Sequence, residues 1–308
     1  MNFLKLIVQF IIWFFQVPLR KPTGSIVYPS VQPVNTPTED LQSEHIVEET
    51  TEIENVEEAI ENLEDHAENL TIENLLYFEE RFLPSNQYIN EYSDKIGIVL
   101  HHTVSRSDSV DGDIKWWNSN KERVGTHFIV DKFGNIYQCV PLDKWVHHLW
   151  VNALTNKIAL KFKSISLNNI YNSQTIGIEL DSAGGLLPRN GYWHSAFNKQ
   201  MKNSDVYQID YRGYKAFEKY YPEQIESVKN LILYLIEKYP LIGQNIKDDY
   251  SDIFNINLDA LNHVPGIYTH TSYRTDKSDC APQRGLVEML NSLKNELRST
   301  SIQARQNN

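Results

Sequence analysis

The chain has 308 residues, 41% of them hydrophobic, with two cysteines and a formal net charge of −11. That is enough apolar material for one large domain or two small ones, and two cysteines exclude both a disulfide framework and a CxxC zinc knuckle. The charge is uneven: residues 22–80 carry sixteen Asp and Glu and no Lys or Arg, whereas from Arg81 onward 24 acidic residues meet 26 basic ones. The acidity therefore belongs to a linker, and the near-neutral remainder carries no electrostatic footprint for nucleic acid.

Residues 1–21 contain an apolar run of fourteen residues, Leu6 to Leu19, interrupted by Gln9, Gln16 and Pro18. As a helix it would reach about 21 Å, short of the roughly 30 Å hydrocarbon core. The length suits an export signal or an uncleaved anchor, although no small-x-small cleavage site follows. An amphipathic or buried first helix is the alternative. The expected location is the cell envelope, exported or membrane-anchored, with membrane association through residues 6–19.

Residues 22–76 read as an acidic linker. Its first half, 22–45, is rich in Pro, Thr and Ser and is expected to be disordered. Ile46, Ile53, Ile60 and Ala67, with Val56, Leu63 and Leu70, then form a heptad seam with acidic flanks. A weak coiled coil and a solvated helical spacer fit it equally. Its glutamates would repel a second copy, so a monomer is expected.

A folded domain is expected over 77–300. Ile96 to Leu100 is an apolar, β-branched-rich run leading into His101 and His102. Val110 to Asn120 reads as a short helix carrying Trp116 and Trp117. Thr126–Val130 and Ile136–Val140, around the turn Asp131–Asn135, read as a β-hairpin. Thr175 to Leu180 is a buried strand with Glu179 inside it. In Pro222–Tyr239 the residues Ile225, Val228, Leu231, Ile232, Leu235 and Ile236 recur at helical spacing. Gly266 to Tyr268 is a strand that delivers His270 into a polar loop closed by Lys277, Asp279 and Pro282, and Gly285 to Leu297 is a last helix. Strands alternating with helices define an α/β domain with a mixed sheet flanked by helices.

Two strands that each end at a histidine, with a carboxylate nearby, can make a three-ligand metal site with one position open. Two neighbours compete for the third place. Cys280 is the softer donor. Asp279 has the better offset, because the Lys277-x-Asp279 spacing puts both side chains on one side of an extended segment and Cys280 on the other. Glu179 is either a desolvated acid–base group or an ion-paired structural residue. His127 reads as a packed or ligand-supporting histidine, His147 and His148 as groove lining beside Trp145 and Trp150, and His194 and His263 as loop residues.

Taken in order, Leu100-His101-His102-Thr103, Gly125-Thr126-His127-Phe128, Ile176-Gly177-Ile178-Glu179-Leu180 and His270 with Lys277-x-Asp279 resemble the zinc-dependent N-acetylmuramoyl-L-alanine amidases. That fold is shared with peptidoglycan recognition proteins and phage amidase lysins, and the resemblance covers roughly residues 90–295. It implies hydrolysis, by a zinc-activated water, of the amide between N-acetylmuramic acid and L-alanine in peptidoglycan or muropeptides. It implies His101, His270 and Asp279 as zinc ligands, Glu179 as the acid–base group and Lys277 as the basic residue near the metal. Thr126 stands where some members carry a catalytic tyrosine, and Cys280 where proline is usual. The stretches 186–222 and 244–263 look like insertions. An inactive peptidoglycan-binding module or wall anchor, the competing class, usually lacks one of these five residues, and this chain keeps them all.

Overall fold

A computed structural model describes residues 76–106, 109–150 and 167–306. The hydrophobic segment 1–21 and the linker up to residue 75 lie outside the described residues.

A six-stranded sheet carries the fold, in the order β1-β4-β3-β5-β2-β10. These strands are β1 (Glu79–Glu80), β2 (Gly97–His102), β3 (Phe128–Val130), β4 (Ile136–Gln138), β5 (Thr175–Leu180) and β10 (Gly266–Thr269). β3 and β4 form the antiparallel hairpin, and the other pairings are parallel. The sheet is therefore mixed. The apolar runs at its centre match strands covered on both faces. Two further hairpins stand apart from it: β6 (Leu187–Arg189) with β7 (Tyr192–His194), and β8 (Val206–Tyr211) with β9 (Tyr214–Glu218). They occupy much of the stretch 186–222, and His194 lies on β7 rather than in a loop.

Helix α1 (Val110–Ser119) buries Val110, Ile114 and Trp117 in a cluster with Ile129 and Val140. Phe128 and Val130, whose side chains alternate with that of Ile129, belong instead to the main core. After α2 (Leu167–Gln174), helix α3 (Pro222–Lys238) starts with proline at its first turn, where a missing N–H costs nothing. It buries Val228, Leu231, Ile232 and Leu235 in that core with the sheet residues Ile98, Leu100, Ile176 and Ile178. Gln224, fully buried on α3, clamps helix to sheet by donating from Nε2 to the carbonyls of Val130 (2.9 Å) and Asp181 (3.1 Å). Leu231→Ala should lower unfolding free energy by about 2–5 kcal/mol in a denaturant titration, because it empties a fully packed position.

Two expectations at the C-terminal end need correction. Beyond α4 (Leu258–Leu261), the segment after β10 is the one-turn helix α5 (His270–Tyr273), not a polar loop. Thr269 and Ser272 form a reciprocal capping box that starts this turn. The last helix, α6, runs Arg284–Gln306, well past Leu297. Its early apolar stripe, Leu286, Leu290 and Leu293, joins the core. Among the described residues no helix is long and apolar enough to cross a membrane.

Candidate active site

Strand register assembles the site. On the parallel neighbours β5, β2 and β10, His101 is paired with Glu179, and Leu100 with Thr269. His270 follows Thr269 directly, so it arrives beside His101 as β10 gives way to α5. Asp279 closes the group from the α5–α6 connection, where its carbonyl accepts from the Thr271 backbone N–H at 3.2 Å.

Three donor atoms converge. His101 Nδ1 lies 3.0 Å from His270 Nδ1 and 3.1 Å from Asp279 Oδ2, and His270 Nδ1 lies 2.8 Å from the same oxygen. All three residues are buried. Burial drives the His101 imidazole down to about 4, against the pull of Asp279. Burial also lowers His270. It would raise Asp279 too, but the facing His270 and His101 hold that carboxyl well below its usual range. At neutral pH the triangle is therefore two neutral imidazoles and one carboxylate. It is the one group of such donors, among the described residues, arranged to hold a metal ion.

Cys280 is not part of it. Its thiol is fully buried and donates to the His101 carbonyl at 2.9 Å. His102 likewise turns away, with Nδ1 2.8 Å from the Tyr220 hydroxyl.

Glu179 faces the same cleft. Its Oε2 is buried without a hydrogen-bond partner, and no ion pair involving it is present among the described residues. The ion-paired structural reading of this glutamate therefore has no support. Burial, then the charges of Asp279 and Asp113, push its carboxyl well above the ordinary range. Lys277 lines the cleft as well, and its charge acts on Glu179 in the opposite sense. The cleft has a volume of about 1120 Å³ and extends from the metal-type triangle to two exposed tryptophans, Trp116 and Trp150.

Three histidines find their places. His127 is fully buried and structural: its Nδ1 accepts from the Gly177 N–H at 3.1 Å, and its Nε2 lies 3.1 Å from the Lys144 carbonyl. His147 lines the cleft, as expected. His148 lines it too, but it also reaches His101, with Nδ1 3.1 Å from His101 Nε2. Sequence reading missed that contact, and it missed Asp113. The Asp113 carboxyl borders the cleft, and burial, with help from the Asp181 charge, raises it to about 7. The readable signal for His148 was Gly177, an isolated glycine inside a strand, which marks a close approach. A Cβ there would lie 3.0 Å from His148 Nδ1.

In this mixed-sheet α/β domain the strand ends gather a histidine–carboxylate cluster beside a half-buried glutamate, a grouping able to hold a metal ion next to a proton-accepting carboxylate. The family described as N-acetylmuramoyl-L-alanine amidase matches residues 92–282, more than half of the sequence, and the chain belongs to that family. No curated protein matches the sequence. Among solved structures, N-acetylmuramoyl-L-alanine amidase LysC from Clostridium intestinale URNW is similar at 15% identity, covering 72% of this chain and 99% of its own, with a TM-score of 0.35. The catalytic domain of XlyA is similar at 15% identity, covering 71% and 98%, with a TM-score of 0.36. The Ph2119 endolysin from Thermus scotoductus MAT2119 bacteriophage Ph2119 is similar at 13%, covering 68% and 99%, with a TM-score of 0.36.

Proposed function

We propose that the protein hydrolyses the amide bond between N-acetylmuramic acid and L-alanine in peptidoglycan, using zinc held by His101, His270 and Asp279. The observation that carries this reading is the convergence of two imidazole nitrogens and one carboxylate oxygen beside Glu179. The donor set fits zinc: two neutral imidazoles and one carboxylate are a set zinc accepts, and they leave a position open for water or substrate. A bound zinc would lower the pKa of water towards about 7 and polarise the amide carbonyl.

The chain's own groups divide the remaining work. Glu179 lies next to His101 on the adjoining strand, and its raised proton affinity suits a group that takes the proton of the attacking water and passes it to the leaving amine. Lys277 supplies a cation on the same cleft for the oxyanion that forms as the carbonyl is attacked. Lys277→Met should reduce kcat by about 10²–10³ with little change in bound zinc. A variant with full turnover would remove Lys277 from the reaction.

The direct test incubates the full chain with muropeptides, with and without a chelator, and identifies new termini by mass spectrometry. A lactyl carboxylate and a free L-alanine amine are expected, lost with chelator and restored by added zinc. Turnover indifferent to the chelator would overturn the zinc assignment. Binding without new termini would mark an inactive wall-binding module instead.

The reading also places the amidase domain at 77–300, behind a targeting segment 1–21 and an acidic linker 22–76, in the cell envelope. Deleting residues 1–21 should then leave a folded, active protein that no longer sediments with membranes. Loss of folding would show that the segment packs into the core.

A further inference from the structure

We propose that His148 and Thr175 are positioning residues that hold His101 in the tautomer whose Nδ1 lone pair faces the candidate metal site. The inference rests on the zinc reading for its purpose, but its geometry stands on three hydrogen bonds.

The proton count fixes their direction. Thr175 Oγ1 lies 2.6 Å from the Tyr171 carbonyl oxygen, which can only accept, so the single hydroxyl proton of Thr175 is committed there. The same Oγ1 lies 3.0 Å from His148 Nε2 and has only a lone pair left to offer. His148 Nε2 therefore carries the proton. In a neutral imidazole the other nitrogen is then an acceptor, so His148 Nδ1 receives from His101 Nε2–H at 3.1 Å. His101 Nδ1 is left as a lone pair, and it is this atom that lies 3.1 Å from Asp279 Oδ2 and 3.0 Å from His270 Nδ1. The chain runs from a helix carbonyl to a metal ligand without a break.

The surroundings are built for the arrangement. His148 is buried, and Asn172 Oδ1 accepts from its backbone N–H at 2.9 Å and from that of Leu149 at 2.7 Å. Asn172 Nδ2 returns a bond to the Leu149 carbonyl at 2.8 Å. The ring lies over Gly177 of β5, where an added Cβ would come within 3.0 Å of its Nδ1. By contrast His270 Nε2 is buried with no partner, so among the described residues nothing comparable sets the tautomer of the second histidine. Partners of this kind orient a metal-binding imidazole and raise its basicity.

The test compares the full wild-type chain with Thr175→Val, which removes the hydroxyl at similar volume, and Thr175→Ser, which keeps it. Two measurements are made: zinc affinity by competition with a fluorescent chelator, and ring-nitrogen chemical shifts of His101 in the metal-free protein. The wild type should show His101 as the Nε2–H form. Thr175→Val should mix the tautomers and weaken zinc binding about 10–100-fold, with Thr175→Ser close to wild type. An Nδ1–H form of His101 in the wild type would overturn the proposal, and so would undiminished zinc affinity in Thr175→Val. If the wild type binds no zinc at all, the metal reading fails. The tautomer of metal-free His101 then still decides the relay, as it does if the valine variant does not fold.

Discussion

Glu179→Gln should keep its zinc and lose about 10²–10⁴ in kcat. The substitution preserves shape, and among the described residues Glu179 Oε2 has no hydrogen-bond partner to lose. What disappears is a carboxylate able to take a proton. The pH profile carries a second signature. As a base the group must be deprotonated, and burial together with the charges of Asp279 and Asp113 raises its proton affinity. The rate of the parent should therefore climb with pH as Glu179 ionises, and that rising limb should be missing from the glutamine variant. Parallel kcat–pH curves and zinc analysis of both proteins check this. Equal turnover with bound metal would take Glu179 out of the mechanism.

The second large effect belongs to Asp279. Asp279→Ala removes the one charged member of the triangle and leaves the two buried imidazoles without the third donor atom that faces them. Zinc content should fall far below one per chain. A bound metal contributes several kcal/mol of transition-state stabilisation, so the rate should fall by about 10²–10⁴. Cys280→Ser should retain zinc, because the Cys280 side chain points to the His101 carbonyl in the core. Metal analysis of the two variants separates the neighbours. Zinc lost from the serine variant and kept by the alanine variant would place the ligand one residue further on.

Much of this was legible because the relevant signals are local. Val99, Leu100, Ile176 and Ile178 announce buried strands by composition, and the apolar spacing of α3 announces its helix. His101 and His270 each stand at the end of such a strand, so the candidate ligand pair could be read from strand ends alone. The one-turn helix α5 was also signalled locally, by Thr269 and Ser272, but serine is a weaker form of the capping pattern than glutamate. What stayed hidden depends on packing between distant segments. The approach of His148 to His101 depends on where the loop carrying Trp145–Trp150 crosses β5, and no periodicity encodes that crossing. The two-residue β1 is too short to show any alternation, and it exists through its parallel pairing with β4. Asp113 sits in the first turn of α1 with no motif around it, and only the fold brings its charge to bear on Glu179.

The site also has a position in time. His101 and His270 are 169 residues apart in sequence, and His101 and Asp279 178. On a ribosome β2, β3 and β5 emerge and can pair long before the strand that carries the second histidine has been made. Edge strand β10 is the last strand of the sheet to be made, and contacts of such long sequence separation are slow to close. Between the completion of β5 at Leu180 and the arrival of His270 and Asp279, the growing polypeptide can hold the centre of its sheet without the complete candidate ligand set. On the proposed zinc reading, the activity would stay silent in the unfinished chain and switch on only once the final strand and Asp279 are in place.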